Sequence, residues 1–209
     1  MSSPCAPAAC GIDPGAACDS PDVVTADWVF AYGSLIWNPG FDFMQAHLAR
    51  LHGWHRSFCI ASTRYRGTPE APGIVLGLDH GGSCVGMAFR LRPQTRLQAL
   101  RAVFEREMGG KVYQARIVTV TLEDHRKERA LAFIANHASL AYARLAEPEI
   151  LRRLSHCRGE RGPNRDYAIE TWRALDAQGV HCPHLTRLMA QLSPPTVDCQ
   201  ALEPEHPLT

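Results

Sequence analysis

The chain has 209 residues, of which 45% are hydrophobic and 21% are charged. These fractions are those of an ordinary globular domain and exclude a wholly disordered chain. No apolar run approaches the roughly 20 residues that a membrane-spanning helix needs, so the sequence predicts no membrane partner.

Acidic residues are concentrated at the two ends of the chain. Six of the 21 Asp and Glu residues lie in residues 1–26 and 193–209, whereas all 22 Lys and Arg residues lie between them. The intervening region is therefore net basic, which favours a small anionic ligand, but its charge is too evenly spread for a nucleic-acid surface. We expect two flexible acidic tails and one domain over residues 27–192.

Cysteine usage and the first residues indicate a reducing compartment. Residues 1–26 contain no Lys, no Arg and no continuous apolar block, unlike a secretory signal, so a cytoplasmic location is expected. The eight cysteines form no CxxC pair, and we expect them to be reduced. Cys59 and Cys84 lie in apolar segments, where a thiol behaves as a small hydrophobic group. The group His181-Cys182-Pro183-His184 lacks a second pair of ligands and is interpreted as a loop between helices.

The pattern of apolar residues predicts strands first and most helices later. Short β-branched or aromatic runs predict strands over residues 28–32, 57–62, 73–78, 84–91, 116–122 and 130–135. The sequence Asp79-His80-Gly81-Gly82 is typical of a hairpin turn between the third and fourth strands. Helical periodicity covers residues 95–108, 139–145, 148–157, 163–178 and 183–192. This order predicts an α+β fold, a small curled sheet or barrel with helices packed outside.

The segment WVFAYGSLIWNPG, residues 28–40, places a Gly33-Ser34 step between bulky apolar residues. Either the chain turns tightly within a core, or its backbone contacts a ligand at this step. Ser34 does not belong to a G-x-S-x-G elbow, and no Walker A loop, GxGxxG or HExxH motif occurs in the chain. The usual nucleophilic, phosphate-binding and zinc-dependent mechanisms are therefore disfavoured.

The predicted helix over residues 95–108 carries an acidic residue among apolar ones. At about 100° per residue, with Leu97 at zero, Leu100 falls near about −60°, Val103 near about −120° and Glu107 between them at about −80°. A buried carboxylate is costly unless it is paired or has a raised pKa. Glu107 is therefore either a core residue that pairs with an arginine or backbone amide, or a general acid/base that faces a cavity.

Five segments occur in the order found in a known family. They are WVFAYGSLIW (28–37), RGTPEAPG (66–73), REMGG (106–110), GPNRDY (162–167) and ETWRALDAQGV (170–180). With these segments the chain resembles the ChaC-type γ-glutamylcyclotransferases, which act on glutathione. The resemblance implies a small β-barrel with flanking helices and no metal or organic cofactor. It implies catalysis by Glu107 and substrate binding by Tyr32, Gly33, Ser34, Leu35 and Tyr167.

Two further residues have either a binding or a structural interpretation. Arg66 could bind a carboxylate of glutathione or be a surface arginine in a loop. Tyr167 could donate a hydrogen bond to substrate or only pack in the core, since it shares a helical face with Thr171 and Leu175. The segment STRYRG differs from the family pattern at Arg64 and Tyr65, which bears on substrate preference.

The implied reaction releases 5-oxoproline and Cys-Gly from glutathione by attack of the substrate's own α-amine. Two alternatives stay open from the sequence. The chain could act on other γ-glutamyl dipeptides or amines, or it could be a non-catalytic regulatory protein on the same scaffold. No nucleic-acid partner is expected.

Overall fold

A computed structural model of the protein describes residues 25–109 and 111–192. Residues 1–24 and 193–209 of the two predicted tails lie outside the described residues, whereas Ala26 of the first tail is buried. None of the described helices combines the length and the apolar character needed to cross a membrane.

Five strands form a closed barrel in the spatial order β1-β3-β2-β4-β5. The strands are β1 (Trp28–Ala31), β2 (Phe43–Ser62), β3 (Gly73–Leu91), β4 (Tyr113–Leu122) and β5 (Lys127–Ala135). Neighbours are antiparallel except β1 and β5, which pair in parallel. The predicted α+β fold with a small barrel is therefore confirmed.

Helices pack on the barrel and supply part of the core. They are α1 (Arg96–Met108), α2 (Glu147–His156), α3 (Asn164–Asp176) and α4 (Pro183–Gln191). A short 3₁₀ turn, Ser34–Ile36, follows β1, and the two-residue strands β6 (Arg158–Gly159) and β7 (Gly162–Pro163) form a small hairpin before α3. Four of the five predicted helices correspond to these elements.

The strand β1 is buried on both faces. Trp28 and Phe30 belong to the larger apolar core, which also contains residues of α2, α3 and α4. Val29 and Ala31 belong to a second core between the sheet and α1. A strand with cores on both sides has no polar face, which explains its continuous apolar sequence.

The predicted hairpin turn at Asp79-His80-Gly81-Gly82 is wrong. Strand β3 runs through these residues, and β2 pairs with it on both sides of them. Gly81 and Gly82 have φ angles of 98° and 68°, opposite a register shift in β2 between His52 and Trp54. Glycine tolerates such angles, so the pair forms a bulge that bends one long strand.

The predicted helix over residues 139–145 is also wrong. This segment consists of turns and one isolated bridge between Ile60 and Tyr142. The amide of Ala143 donates to the carbonyl of Cys59, and the Tyr142 hydroxyl donates to Asp79 at 2.8 Å. These contacts with β2 and β3 outweigh the helix propensity of the alanine-rich sequence.

Candidate active site

Glu107 lies in the last turn of α1, on the side that faces the barrel. The buried residues of this helix are Ala99, Leu100, Val103 and Phe104. Leu97, the reference of the predicted apolar face, is 52% exposed, so the buried face is centred about 90° away from it. That centre coincides with Glu107, whose side chain is only 15% exposed. The carboxylate therefore lies among apolar neighbours while still reaching solvent.

Three tyrosine side chains from different elements lie within the electrostatic range of this carboxylate. Tyr32 follows β1, Tyr113 begins β4 and Tyr167 belongs to α3. Burial is the main reason that the pKa of each hydroxyl is raised, and the negative charge of Glu107 raises each pKa further. The tyrosines therefore stay neutral and can donate hydrogen bonds, and Glu107 is the carboxylate of this cluster.

The three hydroxyls differ in their hydrogen bonds. Tyr32 donates to the Phe133 carbonyl at 2.7 Å, and Tyr113 donates to the Leu76 carbonyl at 2.8 Å. Tyr167 instead accepts a hydrogen bond from the Leu76 amide at 3.1 Å. The hydroxyl hydrogen of Tyr167 has no acceptor within the described part of the chain, so it is available to a ligand.

Arg106 joins Glu107 to the loop that follows β1. Its Nε lies 3.2 Å from Oε1 of Glu107. Its Nη2 donates to Ser34 Oγ at 2.8 Å, and its Nη1 donates to the Asn38 carbonyl at 2.5 Å. The periodicity of α1 does not predict these contacts, which depend on the packing of the loop against the helix.

The pKa of the Glu107 carboxyl is raised above its ordinary value. Burial is the main cause, and the guanidinium groups of Arg106 and Arg161 oppose it. A raised pKa makes the carboxylate a stronger base, which suits proton transfer near neutral pH. Arg161 was not a site candidate from the sequence.

The loop after β1 presents free backbone amides beside this carboxylate. The N–H groups of Gly33, Ser34 and Leu35 make no hydrogen bond with any residue that the structure describes. A Cβ on Gly33 would lie 3.3 Å from the Tyr167 hydroxyl oxygen, so glycine allows the backbone to approach that group. Consecutive free amides of this kind can bind a carboxylate or a developing oxyanion.

Arg66 is buried behind Tyr167 and is not the surface arginine that the sequence allowed. It is 8% exposed, and its Nη1 donates to the Pro163 carbonyl at 3.0 Å. Its Nη2 lies 3.6 Å from Glu170 Oε2, and its guanidinium lies 5.7 Å from the centre of the Tyr167 ring. These contacts place a paired positive charge next to Tyr167.

Other candidate sites lie away from Glu107. Within residues 25–109 and 111–192, no group of three or more His, Cys, Asp or Glu side chains could hold a metal ion. One surface cavity of about 380 Å³ lies between α3 and α4, and another of about 430 Å³ lies beside Asp79 and the start of α2. Neither cavity is lined by Glu107 or by the three tyrosines.

Comparison with known proteins identifies the family. The family model described as ChaC-like protein matches residues 27–193. The chain belongs to the ChaC-like family. The region matched contains Glu107, the loop after β1, Arg66 and Tyr167.

Two curated relatives of this ChaC-like chain are both named gamma-glutamylcyclotransferases. The glutathione-specific gamma-glutamylcyclotransferase of Escherichia coli (strain K12) is 32% identical over 166 residues, which cover 79% of this chain and 72% of the relative. Gamma-glutamylcyclotransferase 2-3 of Arabidopsis thaliana is 30% identical, over 80% of this chain and 88% of the relative.

A solved structure shares the fold. It is a selenomethionine-labelled gamma-glutamyl cyclotransferase specific to glutathione from yeast, with a TM-score of 0.73 and 21% sequence identity. The match covers 79% of this chain and 94% of the yeast chain.

Proposed function

We propose that the chain is a γ-glutamylcyclotransferase that converts glutathione into 5-oxoproline and Cys-Gly. The observation that carries the proposal is the largely buried carboxylate of Glu107, with its raised pKa, beside the free amides of residues 33–35. Membership in the ChaC-like family and the names of the relatives support glutathione as the substrate. We propose residues 27–192 as the catalytic domain.

The reaction begins when the α-amine of the γ-glutamyl group loses a proton. Such an ammonium group has a pKa of about 8, so most substrate molecules carry a protonated amine at neutral pH. A base must remove that proton before the amine can attack. Glu107 accepts this proton, and the neutral amine attacks the γ-carbonyl carbon to form a five-membered ring. Because the nucleophile belongs to the substrate, the enzyme mainly holds the folded-back conformer.

The tetrahedral intermediate then collapses. Its C–N bond to the leaving peptide breaks, and protonated Glu107 returns its proton to the departing nitrogen. The ring nitrogen gives up its second proton, which Glu107 passes to the released amine. The products are therefore the lactam 5-oxoproline and Cys-Gly with an ammonium group, and Glu107 is again a carboxylate. No net proton or electron is consumed.

The remaining candidate residues bind and orient the substrate in this proposal. The amides of Gly33, Ser34 and Leu35 stabilise the oxyanion or hold the α-carboxylate of the substrate. Tyr167 donates its free hydroxyl hydrogen, and Tyr32 lines the pocket as a neutral ring. Arg66 contributes positive charge behind Tyr167, which favours a carboxylate on the opposite side of that ring.

Replacement of Glu107 tests the assignment. We expect Glu107→Gln to lower the release of 5-oxoproline from glutathione by at least about 100-fold, because the amide cannot accept the proton. The thermal unfolding midpoint should not fall, since the neutral amide removes the cost of burying a charge. A folded Glu107→Gln protein with the wild-type rate would contradict the proposal.

The exposed residue Glu105 on the same helix provides a matched control. Glu105→Gln removes the same charge two residues away and should leave turnover unchanged. Assays with glutathione and with γ-glutamyl-alanine in parallel report the substrate class. Failure of the wild-type protein to release 5-oxoproline from either compound would favour a non-catalytic role.

A further inference from the structure

We propose that Arg161 determines leaving-group specificity by binding the terminal carboxylate of the peptide that departs during cyclisation. This inference rests on the γ-glutamylcyclotransferase function proposed above. It specifies which part of the substrate distinguishes a γ-glutamyl peptide from a γ-glutamyl amine.

Arg161 differs from Arg64, Arg66 and Arg106 in having a free guanidinium. Arg64 pairs with Glu160 at 2.9 Å, and Arg66 and Arg106 make the contacts described above. The Arg161 guanidinium forms no hydrogen bond or ion pair with any described residue. It therefore keeps its donors for an external anion.

The side chain of Arg161 is held in place although it is exposed. Its backbone amide donates to the Tyr65 carbonyl at 2.9 Å, and its guanidinium lies 4.1 Å from the centre of the Tyr65 ring. The adjacent amide of Glu160 donates to the Arg64 carbonyl at 2.9 Å, so the β6–β7 hairpin is joined to the 64–65 segment twice. A guanidinium stacked on an aromatic ring loses less freedom when it binds an anion.

Arg161 also lies near the residues around Glu107. A Cβ on the next residue, Gly162, would lie 3.9 Å from Nη1 of Arg66, whose guanidinium lies 5.7 Å from the centre of the Tyr167 ring. It makes no ion pair with Glu107, yet its positive charge is close enough to lower the pKa of that carboxyl. Glu107 must reach the nitrogen of the leaving peptide. From that nitrogen an extended dipeptide places its terminal carboxylate roughly 7 Å away. In the proposed arrangement the leaving carboxylate meets Arg161 while the scissile bond lies at Glu107.

A substrate without this terminal carboxylate cannot form an ion pair with Arg161. Guanidinium–carboxylate pairs form charge-assisted hydrogen bonds, which are stronger than neutral ones and geometrically selective. We therefore expect the enzyme to prefer γ-glutamyl peptides with a free carboxyl terminus over γ-glutamyl amines and peptide amides.

The test compares glutathione with its C-terminal amide as substrates of the full chain. For wild-type protein, 5-oxoproline release should show a higher kcat/KM for glutathione. Arg161→Gln should lower kcat/KM for glutathione about 10- to 100-fold, mainly through KM, and leave the amide nearly unaffected. Measurements at a pH above the acid limb of the rate profile separate this effect from any change in the ionisation of Glu107. Arg161→Lys should restore part of the preference.

Arg158→Gln is the matched control, because Arg158 is an exposed arginine on the same hairpin. It should leave both kcat/KM values unchanged. Equal losses for glutathione and its amide in Arg161→Gln, or no loss for either, would overturn the inference while the proposed function stands. A wild-type protein inactive on both substrates would overturn the proposed function and this inference together.

Discussion

At the scale of single residues, the site depends on a carboxylate whose environment both hinders and supports its ionisation. Burial of Glu107 favours the protonated form, whereas Arg106 and Arg161 favour the charged form. The net effect is a pKa of the Glu107 carboxyl above its ordinary value, which suits a general base. The three neighbouring tyrosines have pKa values too high to share this task.

Removal of Arg106 should shift the pH dependence of catalysis. In the proposed mechanism the base form of Glu107 is the active form, so activity is expected to fall as pH falls through its pKa. Because the Arg106 guanidinium stabilises the carboxylate, Arg106→Gln should raise that pKa and move the acid limb of kcat/KM to higher pH. The measurement is the rate of 5-oxoproline release from glutathione between about pH 4 and pH 9.

A lower maximal rate is also expected for Arg106→Gln, since the contacts with Ser34 and Asn38 are lost. Arg126→Gln, in the exposed turn between β4 and β5, removes the same charge far from Glu107 and should leave the profile unchanged. An acid limb that does not move in Arg106→Gln would show that the pairing has no influence on the ionisation of Glu107.

At the scale of elements, side chains of helix α3 form hydrogen bonds with backbone groups of strand β3. Asn164 at the start of α3 is fully buried and accepts a hydrogen bond from the Ile74 amide at 2.6 Å. Its Nδ2 donates to the Ile74 carbonyl at 2.8 Å. The hydroxyl of Tyr167, one turn later, accepts a hydrogen bond from the Leu76 amide. The same helix face thus satisfies β3 and orients the Tyr167 hydroxyl toward the loop after β1.

Asn164→Ala should therefore destabilise the fold strongly. Two buried backbone groups of Ile74 would lose their partners, and each unsatisfied group costs about 1–3 kcal/mol, so we expect a loss of about 2–4 kcal/mol. Urea unfolding should show a lower midpoint with an unchanged slope. Gln114→Ala, which removes an amide with an exposed contact to Asn136, should cost far less. Similar losses for the two variants would contradict this role of Asn164.

At the scale of the whole molecule, Asp79 joins distant parts of the chain. Its carboxylate accepts hydrogen bonds from the Tyr142 hydroxyl at 2.8 Å and the His80 amide at 2.8 Å, and His137 Nε2 lies 2.7 Å away. Burial disfavours its ionisation, but these three hydrogen bonds outweigh it and lower the pKa of Asp79. The segment after β5 is thereby held on β3.

This arrangement predicts a pH-dependent contribution to stability. The pKa of Asp79 is lower in the folded than in the unfolded state, so its stabilisation is complete above the unfolded value and lost as pH falls through the folded one. Asp79→Asn should lower the free energy of unfolding by about 1–3 kcal/mol at pH 7, and the difference from wild type should shrink below about pH 4.

Urea unfolding at several pH values measures this difference. Asp124→Asn is the control, because Asp124 pairs with Arg126 on the surface, where an ion pair contributes at most about 1 kcal/mol. A difference for Asp79→Asn that does not change with pH would show that the charge of Asp79 does not stabilise the fold.

The sequence by itself determined features that depend on one element at a time. The apolar run of β1, the boundaries of α1 to α4 and the position of Glu107 on the buried side of α1 follow from local periodicity. The order of five short segments indicated the family and the barrel. The prediction was wrong where one local pattern is compatible with two structures. Gly81 and Gly82 are the example, because glycine suits a hairpin turn and a bulge equally.

Only the tertiary structure decided which side chains meet around Glu107. Arg106 contacts a loop about 70 residues away in sequence, and Tyr113 meets the carbonyl of Leu76 across the barrel. Arg161 and Asn164 are positioned by hydrogen bonds with segments 90 or more residues earlier. Periodicity is set by the backbone geometry of a single helix or strand, whereas these contacts exist only after the barrel closes and the helices pack on it.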